Sequence, residues 1–297
     1  MKNIAIVGAG LVGSLQALLM AKKGYNVQVL ENREDKRKAE FLGGRSINLA
    51  MSDRGWRALE MAGVSDKIRE FALPMYKRCM HDLEGNLTYQ PYGLNNEAIY
   101  SVSRGLLNQT LMNEADACDN IEYKFNLKCK DVDLRDNTLV MQNLNKQIET
   151  FKFDKMFACD VAFSAVRGRL QRTTGFNYQQ SYLGHGYKEL EIPGNEDGTY
   201  KLESDFLHIW PRSEFMMIAL PNIDGSFTLT LFMSLTGKES FEKLDSNEKI
   251  RAFFQEKFAD AVPLIPNLIE DFNSNPVGSL MTVKCDPWHY NDDILLL

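Results

Sequence analysis

An uninterrupted apolar run, Ile4-Ala5-Ile6-Val7, leads directly into a glycine-rich stretch, Gly8-Ala9-Gly10-Leu11-Val12-Gly13. Residues 14–23 then carry helical spacing, and a second apolar run, Val27-Gln28-Val29-Leu30, ends at Glu31. Strand, glycine turn, helix and strand follow in the order of a nucleotide-binding βαβ unit. In such a unit Gly8 permits the tight turn, Gly10 lets the backbone approach a pyrophosphate, and Gly13 lets helix and strand pack closely. The helix N-terminus offers free N–H groups to phosphates. Glu31 stands about 20 residues past the glycines, where a ribose hydroxyl is usually held. There is one such fingerprint, and alone it fits either a nicotinamide or a flavin nucleotide.

Farther along, residues 53–72 read as one helix, with Trp56, Leu59, Ala62 and Val64 near helical spacing. Residues 77–83 and 87–92 are short extended runs around Glu84-Gly85-Asn86, a hairpin signature. Residues 103–117 return to helix. Residues 121–134, 138–143 and 147–157 read as a strand and a β-meander. The chain turns strand-rich again from about Gly186, with runs at 206–210, 215–220 and 227–235 and Asp224-Gly225 as a hairpin turn. Residues 243–258 form an amphipathic helix. The chain stops on Ile294-Leu295-Leu296-Leu297, an apolar run with no polar exit, which predicts that the protein continues beyond it.

The expected fold is therefore α/β: a Rossmann-like nucleotide-binding domain (1–72, 101–176 and 276–297) with an interleaved, mostly antiparallel β substrate domain (73–100 and 177–275). A ligand is expected at the junction.

Composition narrows the function. With 44% hydrophobic residues and a net charge of −6 over 297 residues, the chain has ample core and no basic nucleic-acid surface. No apolar run is long enough for a membrane span. Five cysteines without a C-x-x-C pair predict reduced thiols and a cytoplasmic location. The four histidines show no zinc-ligand spacing.

Several residues carry candidate chemistry. Paired glycines Gly43-Gly44 would admit a flat ring, and Arg45 beside them could reach an electron-rich group; a surface arginine is the alternative. Ser103 is a natural N-cap, but Arg104 in the first turn opposes the helix dipole. An anion nearby would account for it, as would simple solvation. If the hairpin turns about Gly85, Arg78 lies opposite Tyr92, within about 5 Å at Cβ. A guanidinium fork plus a phenol makes a carboxylate clamp suited to an amino-acid substrate; surface decoration is the alternative. Leu207, Met216, Ile218 and Phe232 come from neighbouring strands and could floor an aromatic pocket or serve as ordinary core. Asp160 follows the strand at 155–158, at the strand end where α/β folds bind ligands.

Together these residues resemble the flavin-dependent aromatic hydroxylases. The G-x-G-x-x-G with Glu31, G-G-R-S-I-N-L-A (43–50), S-V-S-R (101–104), P-Y-G (91–93), H-I-W-P-R (208–212) and M-M-I-A-L-P-N (216–222) carry the likeness along essentially the whole chain. The resemblance implies bound FAD, NADPH as co-substrate and O₂. It implies 3-hydroxylation of L-kynurenine to 3-hydroxykynurenine through a flavin C4a-hydroperoxide. It implies that Gly8, Gly10, Gly13, Glu31, Arg45, Arg104, Cys129 and Asp160 contact the cofactor. Arg78 and Tyr92 would hold the substrate carboxylate, and Leu207, Met216, Ile218 and Phe232 its ring. Two departures stand out. Val161 occupies the glycine of the family's D-G pair, which implies strain if that position needs positive φ. The family's later G-D-A motif is absent, which implies a C-terminally truncated chain. A non-catalytic fragment and a hydroxylase for another aromatic acid remain open readings.

Overall fold

The computed structural model describes residues 2–35, 37 and 48–297. Its first unit follows from the opening pattern. Strand β1 (Asn3–Val7) runs into helix α1 (Leu11–Lys22) and strand β2 (Asn26–Leu30). A small strand β3 (Asn48–Met51) precedes helices α2 (Asp53–Ala62) and α3 (Ser65–Arg69). These two were expected as one helix. Gly63 breaks it: at φ +74° its N–H bonds to Glu60 O while Val64 N–H bonds to Leu59 O, a left-handed helix stop. Strand β4 (Leu73–Met75) leads to the hairpin β5 (Lys77–His81) and β6 (Leu87–Pro91). Strand β7 (Ile99–Ser103) then runs into helix α4 (Arg104–Asp116), whose N-cap Ser103 Oγ accepts from Leu106 N.

The nucleotide-type sheet is completed by β8 (Ile121–Lys124) and β12 (Lys155–Ala158), with the meander β9 (Lys128–Asp133), β10 (Thr138–Gln142) and β11 (Ile148–Lys152) between them. Helix α5 (Ala165–Leu170) precedes the long strand β13 (Asn177–Ile192). Strands β14 (Phe206–Arg212), β15 (Phe215–Pro221) and β16 (Phe227–Ser234) follow. Helices α6 (Asn247–Lys257) and α7 (Leu268–Ser274) come next, and strands β17 (Gly278–Asp286), β18 (His289–Tyr290) and β19 (Ile294–Leu296) end the chain.

Among the described residues the strands form four sheets. The first has the order β18-β19-β12-β1-β2-β8, and all but β18 are parallel. Its strands are buried on both sides, so β1 is apolar from Ile4 to Val7. Ile4 and Ile6 pack with α1, α2 and α4 on one face, while Ala5 and Val7 pack with the meander and α5 on the other. The chain leaves β1 toward β2 and returns on the far side at β12. The reversal point between β1 and β12 is where such sheets bind ligands.

A seven-stranded sheet of order β17-β13-β16-β15-β14-β5-β6 is covered on one face by α6 and α7 over a core that includes Trp210, Phe227 and Phe254. Residues 276–297, expected with the nucleotide domain, divide between the two sheets. β17 pairs antiparallel with β13, and β18 and β19 join the parallel sheet. A small sheet, β3-β7-β4, links the two large ones.

Candidate functional site

The glycine loop is built as close contacts demand. A Cβ on Gly13 would lie 1.9 Å from Gly8 O, so α1 rests directly on the turn. Gly8 takes φ +104°, and a Cβ there would lie 2.6 Å from Cys159 O. The turn after β1 thus abuts the end of β12. Around Gly10 no heavy atom of the described residues lies within 4 Å of a Cβ position, which leaves an open cradle over the start of α1. Glu31 is buried. Its Oε2 accepts from Ala9 N at 2.8 Å, and its Oε1 accepts from Arg33 N and Nε at 2.9 and 2.7 Å. Burial works against its ionisation. The Arg33 and Ala9 donors outweigh burial and hold the carboxyl below its ordinary value. Glu31 therefore fixes the loop as well as closing the strand, a role its position alone did not reveal.

Across the reversal point, Asp160 Oδ2 accepts from Ala165 N at 2.8 Å, while Oδ1 is buried with no partner among the described residues. A buried carboxylate oxygen left open beside the glycine loop suits a hydroxyl-bearing ligand. Cys129 on β9 is close enough to feel this carboxylate. Burial, then the Asp160 charge, push its thiol up to about 12. Val161 adopts φ +60° and is largely exposed. The position is a left-handed one that favours glycine, and a β-branched side chain occupies it. Arg104 is exposed in the first turn of α4. One turn farther on, Asn108 Nδ2 donates to Ala9 O at 3.3 Å, and its Oδ1 is buried without a partner. Arg104 and Asn108 share a helix face, so the start of α4 lies along the glycine loop. Arg45, Gly43 and Gly44 lie outside the described residues. The open cradle at Gly10 and the two orphaned oxygens fit the polyhydroxyl and pyrophosphate parts of a flavin dinucleotide.

The six expected substrate residues share the other face of the seven-stranded sheet, away from α6 and α7. The ladders pair Arg78 with Leu207, Ile209 with Ile218, and Met216 with Phe232. Met75 and Ile99, from the small sheet, pack over Leu207, Ile218 and Leu220 at one end. Met216, 41% exposed, marks the uncovered end. The hairpin register differs from expectation. Arg78 pairs with Gln90, not Tyr92, because the ladder closes with His81 opposite Leu87 and so centres on Glu84. Tyr92 lies two residues beyond Gln90 on the same face, and the Arg78 Cζ still sits 4.5 Å from its ring centroid. The Tyr92 hydroxyl is buried, with no partner at hydrogen-bond geometry among the described residues. Burial pushes the phenol up, and the charge and the close N–H donors of Arg78 oppose it. Among the described residues Arg78 forms no ion pair with a carboxylate.

One segment touches both places. Ser101 of β7 donates to Pro221 O of β15 at 2.8 Å, beside the Asn48 amide, which donates to Ser101 Oγ and Asn222 Oδ1. Three residues later the chain enters α4, which holds the glycine loop through Asn108. Asn48 Oδ1 is itself buried and unpartnered. Asn48 lies inside the 43–50 motif, but neither it nor Asn108 stands out by pattern, because single amides carry no periodicity. The cysteines are all unpaired, with Cys79 and Cys159 buried. Among the described residues no helix is long and apolar enough to cross a membrane.

The FAD binding domain family matches residues 1–221. Kynurenine 3-monooxygenase of Flavobacterium psychrophilum is 50% identical over 297 residues, all of this chain and 66% of that protein. The enzyme of the same name from Dictyostelium discoideum is 46% identical and is covered over 64% of its length. The chain thus spans about two thirds of the curated relatives it matches. Among solved structures, 2-methyl-3-hydroxypyridine-5-carboxylic acid oxygenase superposes with TM-score 0.77 at 18% identity, covering 100% of this chain and 74% of that one. For p-nitrophenol 4-monooxygenase from Pseudomonas putida the TM-score is 0.72 at 16% identity, over 100% of this chain and 72% of that one. These last two likenesses establish a shared fold.

Proposed function

The chain belongs to the FAD binding domain family, and from that premise we propose that it is the flavin- and substrate-binding portion of an FAD-dependent, NADPH-consuming hydroxylase acting at the 3-position of L-kynurenine. The observation that carries this reading is the Arg78–Tyr92 pair: a guanidinium that has no carboxylate partner among the described residues, over a buried phenol whose hydroxyl has no hydrogen-bond partner among them. A substrate carboxylate answers both, taking two donors from Arg78 and one from Tyr92.

Bound FAD, reduced by NADPH, supplies the oxygen-activating chemistry. The chain's own residues bind and orient. Gly8, Gly10 and Gly13 would leave room for the pyrophosphate, and Glu31, which holds that loop through Ala9 N, would stand at the strand end where a ribose hydroxyl is held. Asp160 offers its free oxygen to a cofactor hydroxyl, with Cys129 beside it. Arg104 and Arg45 serve the flavin edge. Leu207, Met216, Ile218 and Phe232 line the ring of the substrate and keep water from it. We read residues 1–72, 101–176 and the last strands, β18 and β19, as serving FAD, and 73–100 and 177–275 together with β17 as serving substrate. The partners in this reading are a small aromatic amino acid and O₂, with no nucleic acid. Five unpaired thiols support a cytoplasmic setting.

The test is to load the protein with FAD and supply NADPH, O₂ and L-kynurenine. Kynurenine-stimulated NADPH oxidation with formation of 3-hydroxykynurenine is the expected result. Oxidation that ignores kynurenine but responds to another aromatic acid would replace the substrate.

A further inference from the structure

His208, Trp210 and Arg212, the alternate residues of the 208–212 motif, face away from the substrate side, into the core under α6, and none of them touches the Arg78–Tyr92 pair. A line of polar groups runs through the motif. Trp210 Nε1 donates to Asp260 Oδ2 at 2.8 Å, and His81 Nδ1 lies 2.9 Å from the same oxygen. His81 Nε2 lies 2.9 Å from His208 Nδ1, and His208 Nε2 lies 2.9 Å from Glu203 O. Both imidazoles are buried, at 4% and 1% exposure.

Counting protons along this line decides its state. A carbonyl only accepts, so His208 carries its proton on Nε2. Burial holds His208 neutral, with its ionisation pushed down to about 4. Its Nδ1 is then a lone pair, and His81 must donate from Nε2. The contact between His81 Nδ1 and Asp260 needs a proton of its own. Either His81 is protonated on both nitrogens beside a carboxylate, or Asp260 is a neutral acid. The indole donor and the nearby positive charge of Arg212 favour the carboxylate.

The line sits behind the proposed clamp. The hairpin β5–β6 carries Arg78 and ends just before Tyr92. It joins the sheet through a parallel ladder of four residue pairs, Lys77–Met80 with Phe206–Ile209. Cys79 in that ladder pairs with His208, so the His81–His208 bond crosses the two strands that carry Arg78 and Leu207. Trp210 stacks on His81 at 4.1 Å, and Arg212 donates to His81 O.

We propose that the Asp260 carboxylate holds His81 as an imidazolium donating to neutral His208, and that Asp260 is thereby a positioning residue for the Arg78 clamp. The positioning half rests on the reading of Arg78 as the substrate anchor. A competing arrangement is built from the same atoms. Cys79 Sγ lies 3.8 Å from His81 Nε2, and the donor atoms of Cys79, His81 and His208 lie within 4.8 Å of one another. A soft cation could take the place of the shared proton.

The test is ¹⁵N NMR of histidine-labelled protein at neutral pH. His81 is expected to carry protons on both ring nitrogens and His208 on Nε2 alone. In Asp260→Asn the imidazolium is lost, and kynurenine affinity falls about tenfold; Asp260→Glu, which keeps the charge, restores both. Should Asp260→Asn not fold, His208→Gln keeps an acceptor for His81 and binds kynurenine like wild type, against a loss of about tenfold in His208→Leu. A single protonated nitrogen on His81, or a thiolate-to-cobalt absorption band on titration with Co²⁺, overturns the proton assignment. Wild-type affinity in Asp260→Asn after loss of the imidazolium overturns the positioning role. Failure of the wild-type protein to bind kynurenine overturns the reading of Arg78 and with it that role, while the nitrogen shifts still decide the proton.

Discussion

The Arg78 guanidinium lies 4.5 Å from the centroid of the Tyr92 ring although the two are not ladder partners. The diagonal placement leaves the fork of Arg78 and the hydroxyl of Tyr92 facing the same side of the sheet, with that hydroxyl buried and unsatisfied. Tyr92→Phe removes an unpaired polar atom and keeps the ring. Stability should hold or rise slightly, while kynurenine affinity falls about tenfold. Arg78→Ala removes a charge-assisted fork and should cost about 100-fold. Equilibrium binding beside a denaturant titration separates the two effects, and unchanged affinity in both variants contradicts the clamp.

Gly10 and Gly13 should respond differently to the same change. A Cβ at Gly13 meets Gly8 O at 1.9 Å, a backbone atom that cannot move aside. Gly13→Ala should therefore lose about 3 kcal/mol of stability. Gly10 has φ −76° and open space around its Cβ position. Gly10→Ala should stay within about 0.5 kcal/mol of wild type, yet lose FAD affinity by filling the cradle. Equal destabilisation of the two would argue against a ligand cradle.

Val161 carries a β-branched side chain at φ +60°. Val161→Gly should stabilise the protein by about 1 kcal/mol, since glycine occupies that region without strain. A lower midpoint in denaturant would show that Val161 makes a compensating contact.

His208 sets an acid limb. Its folded value is about 4 against 6.5 for the free side chain, chiefly through burial. As pH falls from 6.5 to 4 the unfolded chain takes up a proton that the folded one refuses. Stability from this group is thus complete above 6.5 and is lost toward 4, by about 3 kcal/mol. His208→Gln should flatten that limb in unfolding measurements across the same range. An unaltered limb would assign the acid loss to carboxylates.

The β1–α1–β2 unit was legible because glycine spacing and apolar runs are local signals, and the substrate strands because their alternation is strong. The long strand β13 and its partner β17 were read late or not at all. Residues 177–183 are mostly polar and exposed, so they show no period. Apolar spacing runs on past Gly63 to Val64, so periodicity alone joins two helices that the left-handed glycine separates. The Cys79–His81–His208–Asp260 cluster was invisible to spacing. Its members come from β5, β14 and the turn after α6, and only the sheet brings them together. The Glu84-Gly85-Asn86 signature marks the hairpin but not its central residue, and the ladder centres on Glu84, one residue before the glycine.

The nucleotide loop and the substrate face are joined through β7 and α4, so occupancy of one should be felt at the other. The most direct check is the visible absorption spectrum of bound FAD during titration with L-kynurenine. A saturable spectral shift is expected in the wild-type protein, and its loss in Arg78→Ala with FAD still bound. FAD that binds and keeps the same spectrum at every kynurenine concentration would contradict the placement of substrate against flavin.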